Sequence, residues 1–140
     1  MIQWAIADTG PLVAFLDRRE KHHAWVTSQI HVLKSPILVC EPVLVETLFR
    51  LVHLPAAQDM LLSMLENGAL KIAFQVADHV PQIRMLRKKY LDVPMSLADA
   101  CLVRMSELFN KHSIFTLDSD FTVYRRYGRE ALPLIHPEQG

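Results

Sequence analysis

Four carboxylates, Asp8, Glu46, Asp99 and Asp118, are spread along 140 residues, yet each stands at a similar kind of place. Asp8 ends the apolar run WAIA and opens the turn DTGP. Asp118 ends the run SIFTL. Glu46 lies one turn into a helical stretch that follows PILVC, and Asp99 lies one turn into the stretch that begins at Ser96. In open α/β sheets, ligand sites gather beyond the carboxyl ends of the strands, and all four acids can reach such a crevice. Clustered carboxylates repel, so one takes a proton or a cation enters. An all-oxygen cluster without His or Cys suits a hard ion such as Mg²⁺ or Mn²⁺. Such ions, often as a pair about 3.5–4 Å apart, activate water and stabilise charge in phosphodiester hydrolysis.

Each acid also has a plainer role open to it. Asp8 can cap the following helix. Glu46 stands four residues before Arg50, a favourable helical ion pair. Ser96 and Asp99 have capping-box spacing, with Asp in place of Glu or Gln. Asp118, Ser119 and Asp120 suit turn chemistry. Jointly these roles are weaker, because Asp8 and Glu46 are flanked by apolar residues in segments expected to be mostly buried. A buried carboxylate is costly unless it is paired or binds a metal.

The elements that must position these acids alternate. Short strands are expected at Trp4–Ala7, Pro36–Cys40, Leu70–Phe74, Ser113–Leu117 and Leu132–Ile135. Helices are expected from Pro11, over about Lys21–Leu33, over Val43–Val52 with Val45, Leu48, Phe49 and Val52 as its apolar face, over Pro55–Glu66, over Ala77–Tyr90, and from Ser96 to about Lys111. Prolines suit helix starts, and Asn67-Gly68 closes the fourth helix. Strands alternating with helices predict an α/β fold with a central, mainly parallel sheet flanked by helices. Residues 1–140 make one domain, long enough to need no disulfide or structural metal.

The formal net charge is zero, so any nucleic-acid surface must be a local patch. Arg84, Arg87, Lys88 and Lys89 form one basic cluster, and Arg125, Arg126 and Arg129 another. Cys40 and Cys101 have no zinc or redox spacing and read as small buried hydrophobes, which suits a reducing cytoplasm. The opening MIQWAIADTG lacks the basic lead and long apolar core of a signal peptide, and no run approaches the ~18 apolar residues of a membrane span.

At these acids the chain resembles the PIN-domain family, and within it the VapC-like toxins of bacterial toxin–antitoxin pairs. IADTGPLVAFLDRREKHHAW is similar to the family's first motif, PVLVETLFRL to the second, MSLADACLV to the third and IFTLDSDF to the fourth, in the family's order. The resemblance implies a parallel sheet wrapped by helices and Mg²⁺- or Mn²⁺-dependent cleavage of RNA. Asp8, Glu46, Asp99 and Asp118 would bind one or two ions, with Asp120 as an extra acid. The cation would activate the attacking water and steady the leaving oxygen. The resemblance also implies a homodimer and a small antitoxin protein inserted into the active-site groove. Thr9 and Thr116 would orient the acids, and His22 and His23 fall in a family-like stretch. A dehalogenase-like phosphatase would want a second acid where Gly10 stands, and a receiver domain would want one at Ala7. The remaining alternative is a non-catalytic PIN-like module that binds RNA or protein; such modules usually lose acids, and this chain keeps all four.

Overall fold

The computed structural model describes residues 3–139. The expected domain of 1–140 also takes in Met1, Ile2 and Gly140, which lie outside the described residues. Along the chain run β1 (Trp4–Ala7), α1 (Thr9–Leu16), α2 (His23–Ile30), β2 (Ile37–Val39), α3 (Glu41–Arg50), α4 (Pro55–Glu66) and β3 (Leu70–Ile72). These are followed by α5 (Val80–Lys89), α6 (Leu97–Leu108), β4 (His112–Phe115), β5 (Arg125–Arg126), β6 (Glu130–Ala131) and β7 (Leu134–Ile135).

Five strands form one parallel sheet in the order β3-β2-β1-β4-β7. Covered by helices, β1 and β2 are almost entirely buried, which is why they read as unbroken apolar runs. The chain lays β2 and β3 on one side of β1, then returns to lay β4 on the other, with Ala7 opposite Phe115. The strand order therefore reverses between β1 and β4, and a crevice opens there beyond their carboxyl ends.

Prolines mark three helix starts: Pro42 in α3, Pro55 in α4 and Pro81 in α5. Gly68 takes φ +86 after α4, a backbone setting that costs glycine no steric strain. Helix α6 buries a long face: Ala98, Ala100, Cys101, Leu102, Val103, Met105 and Ser106 are all buried. With Ile6, Leu12, Leu61, Ile114 and Phe115 it forms a single apolar cluster, each large side chain contributing about 1.5–3 kcal/mol by leaving water. Cys40 and Cys101 lie in that cluster as free thiols, as expected of small buried hydrophobes. Among the described residues no helix is long and apolar enough to cross a membrane.

The parallel α/β architecture matches expectation, but several details differ. Helix α3 begins two residues early and, although Leu48 packs against the core as expected, it is turned mainly to another face. Val43, Leu44, Thr47 and Leu51 are buried, while Val45 is 67% exposed, Phe49 76% and Val52 65%. Both sets of residues recur at helical spacing, so periodicity could not choose between them. The expected helix 77–90 divides into a 3₁₀ turn over Val76–Asp78 and α5, with Pro81 fixing the start of the latter. Strand β4 ends at Phe115, so Thr116 and Leu117 separate it from Asp118. The antiparallel hairpin β5–β6 was not expected, because two-residue strands rich in Arg carry no alternating pattern.

Candidate active site

Asp8 leaves the end of β1 at the strand-order reversal. Its backbone N–H donates to Phe115 O at 2.9 Å, which extends the β1–β4 ladder one residue further. Its side chain caps α1: Oδ1 accepts from the Thr9 N–H at 2.8 Å. Oδ2 accepts from the Thr116 hydroxyl at 2.8 Å. Gly10 lets the start of α1 lie close to the loop after β4, since a Cβ there would meet Leu117 Cβ at 3.3 Å.

Thr116 joins two acids. While its hydroxyl donates to Asp8, the same oxygen accepts from the Asp118 N–H at 3.0 Å. Asp118 in turn caps a 3₁₀ turn over Ser119–Thr122, its Oδ1 accepting from the Asp120 N–H at 2.8 Å. The turn chemistry foreseen for Asp118 is therefore real, and it holds Asp118 and Asp120 side by side.

Asp99 shows the same double use. The capping box with Ser96 forms: the Asp99 N–H donates to Ser96 Oγ at 3.0 Å, and Asp99 Oδ2 accepts from the Ser96 N–H at 3.4 Å. A stronger bond comes from a residue that pattern reading missed. The hydroxyl of Tyr124 donates to Asp99 Oδ2 at 2.9 Å. Tyr124 is fully buried, with its ring edge-on to Tyr90 and Phe121 at centroid distances of 5.1 and 5.2 Å. A Tyr six residues after the last acid, in a segment with no helical or strand period, carried no signal of this role.

Glu46 departs from expectation in its surroundings. It is exposed, not buried, because α3 turns its Val43–Thr47 face to the core. It does not pair with Arg50 either; Arg50 reaches Glu20 at 3.7 Å. Even so, Glu46 lines the same cleft as the other acids. That cleft has a volume of about 430 Å³, and its walls include Asp8, Glu46, Asp99, Asp118 and Asp120 together with Thr9, Ser96 and Arg50. All five acids singled out in the sequence thus face one space.

The electrostatics follow from that crowding. Asp8 is pushed up to about 6, chiefly by burial and in small part by the charges of Asp99 and Asp118, against the lowering effect of its bonds to Thr116 and Thr9. Asp99 is raised by burial first, and also by the charge of Asp118. Asp120 is raised by desolvation and by Asp118. Tyr124 is pushed well above the ordinary phenol range by burial and by its bond to Asp99, so it stays a donor. A hard divalent cation fits this donor set: several carboxylates, Arg50 the one cationic side chain on the walls, and no His or Cys. Among the described residues no three such side chains are drawn into a closed ligand cluster. Glu46 and Asp118 are exposed, and their side chains have room to turn inward.

Other expected contributors divide. Thr116 orients an acid as described, whereas the buried hydroxyl of Thr9 has no partner. His23 Nδ1 lies 2.7 Å from Ala14 O and ties α2 to α1, a packing role. Trp25 packs on Phe115 and Trp4 on His112. Arg126 is not available for phosphate: it is buried, its Nε donating to Glu130 at 2.6 Å and its guanidinium to Ser106 O at 2.8 Å.

Comparison with known proteins agrees with the fold. The PIN domain family matches residues 5–127. A curated relative, Ribonuclease VapC26 of Mycobacterium tuberculosis, is 32% identical over 116 residues, covering 81% of this chain and 85% of that protein. The crystal structure of VapC20 of Mycobacterium tuberculosis, a sarcin–ricin-loop-cleaving toxin, superposes with a TM-score of 0.76 at 15% identity. It covers 85% of this chain and 93% of its own, a likeness of fold.

Proposed function

From the premise that the chain belongs to the PIN-domain family, we propose that it is a metal-dependent endoribonuclease, the toxin of a toxin–antitoxin pair. The observation that carries this reading is the cleft at the β1–β4 reversal, which collects Asp8, Glu46, Asp99, Asp118 and Asp120 from four separate stretches of chain. The relative named as a ribonuclease supports the activity.

Asp8, Asp99 and Asp118 would hold Mg²⁺ or Mn²⁺, with Asp120 beside Asp118 and Glu46 on α3 as further acids of the same cleft. When bound, the ion supplies water activation and stabilisation of the charge that develops on the phosphate. The chain's own residues prepare for it. Thr116 fixes one oxygen of Asp8 and the backbone of Asp118; Tyr124 and Ser96 fix one oxygen of Asp99. Asp99 Oδ1 and Asp118 Oδ2 are left without hydrogen bonds and can face the ion. Carboxylate oxygens have spare lone pairs, so the bonded oxygens can also ligate.

The partners follow from the same reading. An apolar groove of about 730 Å³, lined by Pro42, Val45, Phe74 and Leu97, adjoins the cleft through Glu46 and Ser96. It suits an inserted segment of a small antitoxin protein. The exposed Val45, Phe49 and Val52 stripe on α3 is the kind of surface that a partner or a second copy covers in a homodimer. Two free thiols in the core suit the cytoplasm.

Incubation of the chain with a mixed pool of structured RNAs, in Mn²⁺, in Mg²⁺ and in EDTA, tests the reading. Discrete fragments that require metal and vanish in Asp8→Asn are expected. Absence of cleavage in every metal condition, together with no Mn²⁺-linked stabilisation, would sink it in favour of a binding module.

A further inference from the structure

The cleft poses a difficulty for any polyanion. Its walls carry five carboxylates against one guanidinium, and the whole chain has no net positive charge. RNA must therefore be held mainly by cations placed elsewhere. The stretches that carry the two basic clusters meet in the fold, through residues 39 apart in sequence. Lys89 Nζ donates to Gly128 O at 2.6 Å, which ties the end of α5 to the tip of the β5–β6 hairpin.

On α5, Arg84 and Lys88 stand at i and i+4 and share one exposed face, with Lys89 beside them. Arg129 is exposed next to Gly128 at the hairpin tip. Among the described residues, Arg84, Arg87, Lys88, Lys89 and Arg129 have no carboxylate within ion-pair distance. Arg87 ties this surface to the loop that borders the cleft. Arg87 Nε donates to Met95 O at 3.3 Å, between the cleft-lining Pro94 and Ser96.

An exposed ring completes the surface. Tyr127, at the hairpin tip, is 53% exposed and holds φ 52, a left-handed setting that strains a bulky residue. It is kept there by its N–H to Glu107 Oε2 at 2.8 Å and its hydroxyl to Glu107 O at 2.6 Å. The buried Arg126 guanidinium lies 5.3 Å from the ring centroid, and the exposed ring, two residues before Arg129, offers a stacking platform for an unpaired base.

We infer that the outer face of α5 and the tip of the β5–β6 hairpin together bind the sugar-phosphate backbone of RNA outside the cleft and lead it to the acids. The inference rests on the nuclease reading for its direction, but its test does not. In the full chain carrying Asp8→Asn, binding of a fluorescent 20-nucleotide oligouridylate is measured by anisotropy across a salt series. Arg84→Gln, Lys88→Gln and Arg129→Gln together are expected to weaken binding about tenfold or more and to make the slope of log affinity against log salt shallower by about 2, since each lost single-strand phosphate contact removes roughly 0.7. Tyr127→Ala is expected to weaken binding with the salt slope retained. The exposed Lys21, Lys34 and Lys71, changed together to Gln, remove the same charge elsewhere and are expected to leave binding near its starting value. Equal weakening by both triple variants would overturn the inference, as would no binding by the parent chain. Surface-dependent binding by a chain that cuts no RNA would support the surface and remove the nuclease reading. Cutting with surface-independent binding would do the reverse.

Discussion

The hydroxyl of Tyr124 and the carboxylate of Asp99 are 2.9 Å apart, with the phenol fully buried and the acid at the edge of the cleft. The bond selects which oxygen of Asp99 remains free. Tyr124→Phe keeps the ring between Tyr90 and Phe121 and deletes only the donor. Partners of this kind that orient a metal ligand typically matter by about 10–100-fold in metal affinity or activity. Weakened Mn²⁺ binding by calorimetry and a matching fall in cleavage rate are expected, with little change in melting temperature. Unchanged Mn²⁺ affinity would show that Tyr124 serves packing alone.

That bond also marks where reading the sequence stops. Four of the candidate acids were legible because each ends an apolar run or sits one turn into a helix, and strand ends are where α/β folds build sites; Asp120 came only from the family resemblance. Tyr124 was not legible, since its partner lies 25 residues away and no local period places the two together. Glu46 was legible as an acid that reaches the cleft, but its exposure was not. The stretch 43–52 carries two faces at helical spacing, Val43–Thr47–Leu51 and Val45–Phe49–Val52, and only tertiary packing chose the first. Likewise Arg126 and Arg129 look alike in sequence, yet Glu130 and Ser106 O hold one inside while the other stays in solvent.

Asp8 links the site to stability. Its value in the folded chain is raised to about 6 from 3.8, chiefly by burial. The folded state therefore binds this proton more tightly than the unfolded state. The resulting stability is complete below about pH 4 and is lost as pH rises through about 6. At neutral pH the ionised form carries about 3 kcal/mol, an upper figure for what its removal restores. Without metal, Asp8→Asn is expected to melt higher than the parent at pH 7, with the gap closing toward pH 4. A gap that widens toward pH 4 would contradict this assignment.

Thr116 is the pivot between Asp8 and Asp118. Thr116→Val preserves shape, yet it deletes the donor to Asp8 Oδ2 and leaves the Asp118 N–H without its acceptor. A hydrogen bond to a charged group contributes about 1.5–3 kcal/mol, so a stability loss near 2 kcal/mol is expected in denaturant titration. The hydroxyl also lowers the Asp8 value against burial. Its loss should therefore move the alkaline end of the Asp8-linked stability change to higher pH. A shift to lower pH would mean that Asp8 has found another donor.

Mn²⁺ should act on the same acids as a stabilising ligand. A cation bound only by the folded chain adds about 2.7 kcal/mol at 100 times its dissociation constant, visible as a rise in melting temperature. Because Asp8 is partly protonated near pH 6, binding must displace that proton, so the rise should shrink as pH falls from 7 to 5. Glu46→Gln divides the site further. Glu46 is exposed and makes no hydrogen bond that holds the fold, so its removal is expected to cost little stability in EDTA while reducing the Mn²⁺-linked rise. Glu46→Gln with the full rise, beside Asp99→Asn with none, would restrict the ion to the Asp8, Asp99 and Asp118 wall and leave Glu46 to contact the RNA.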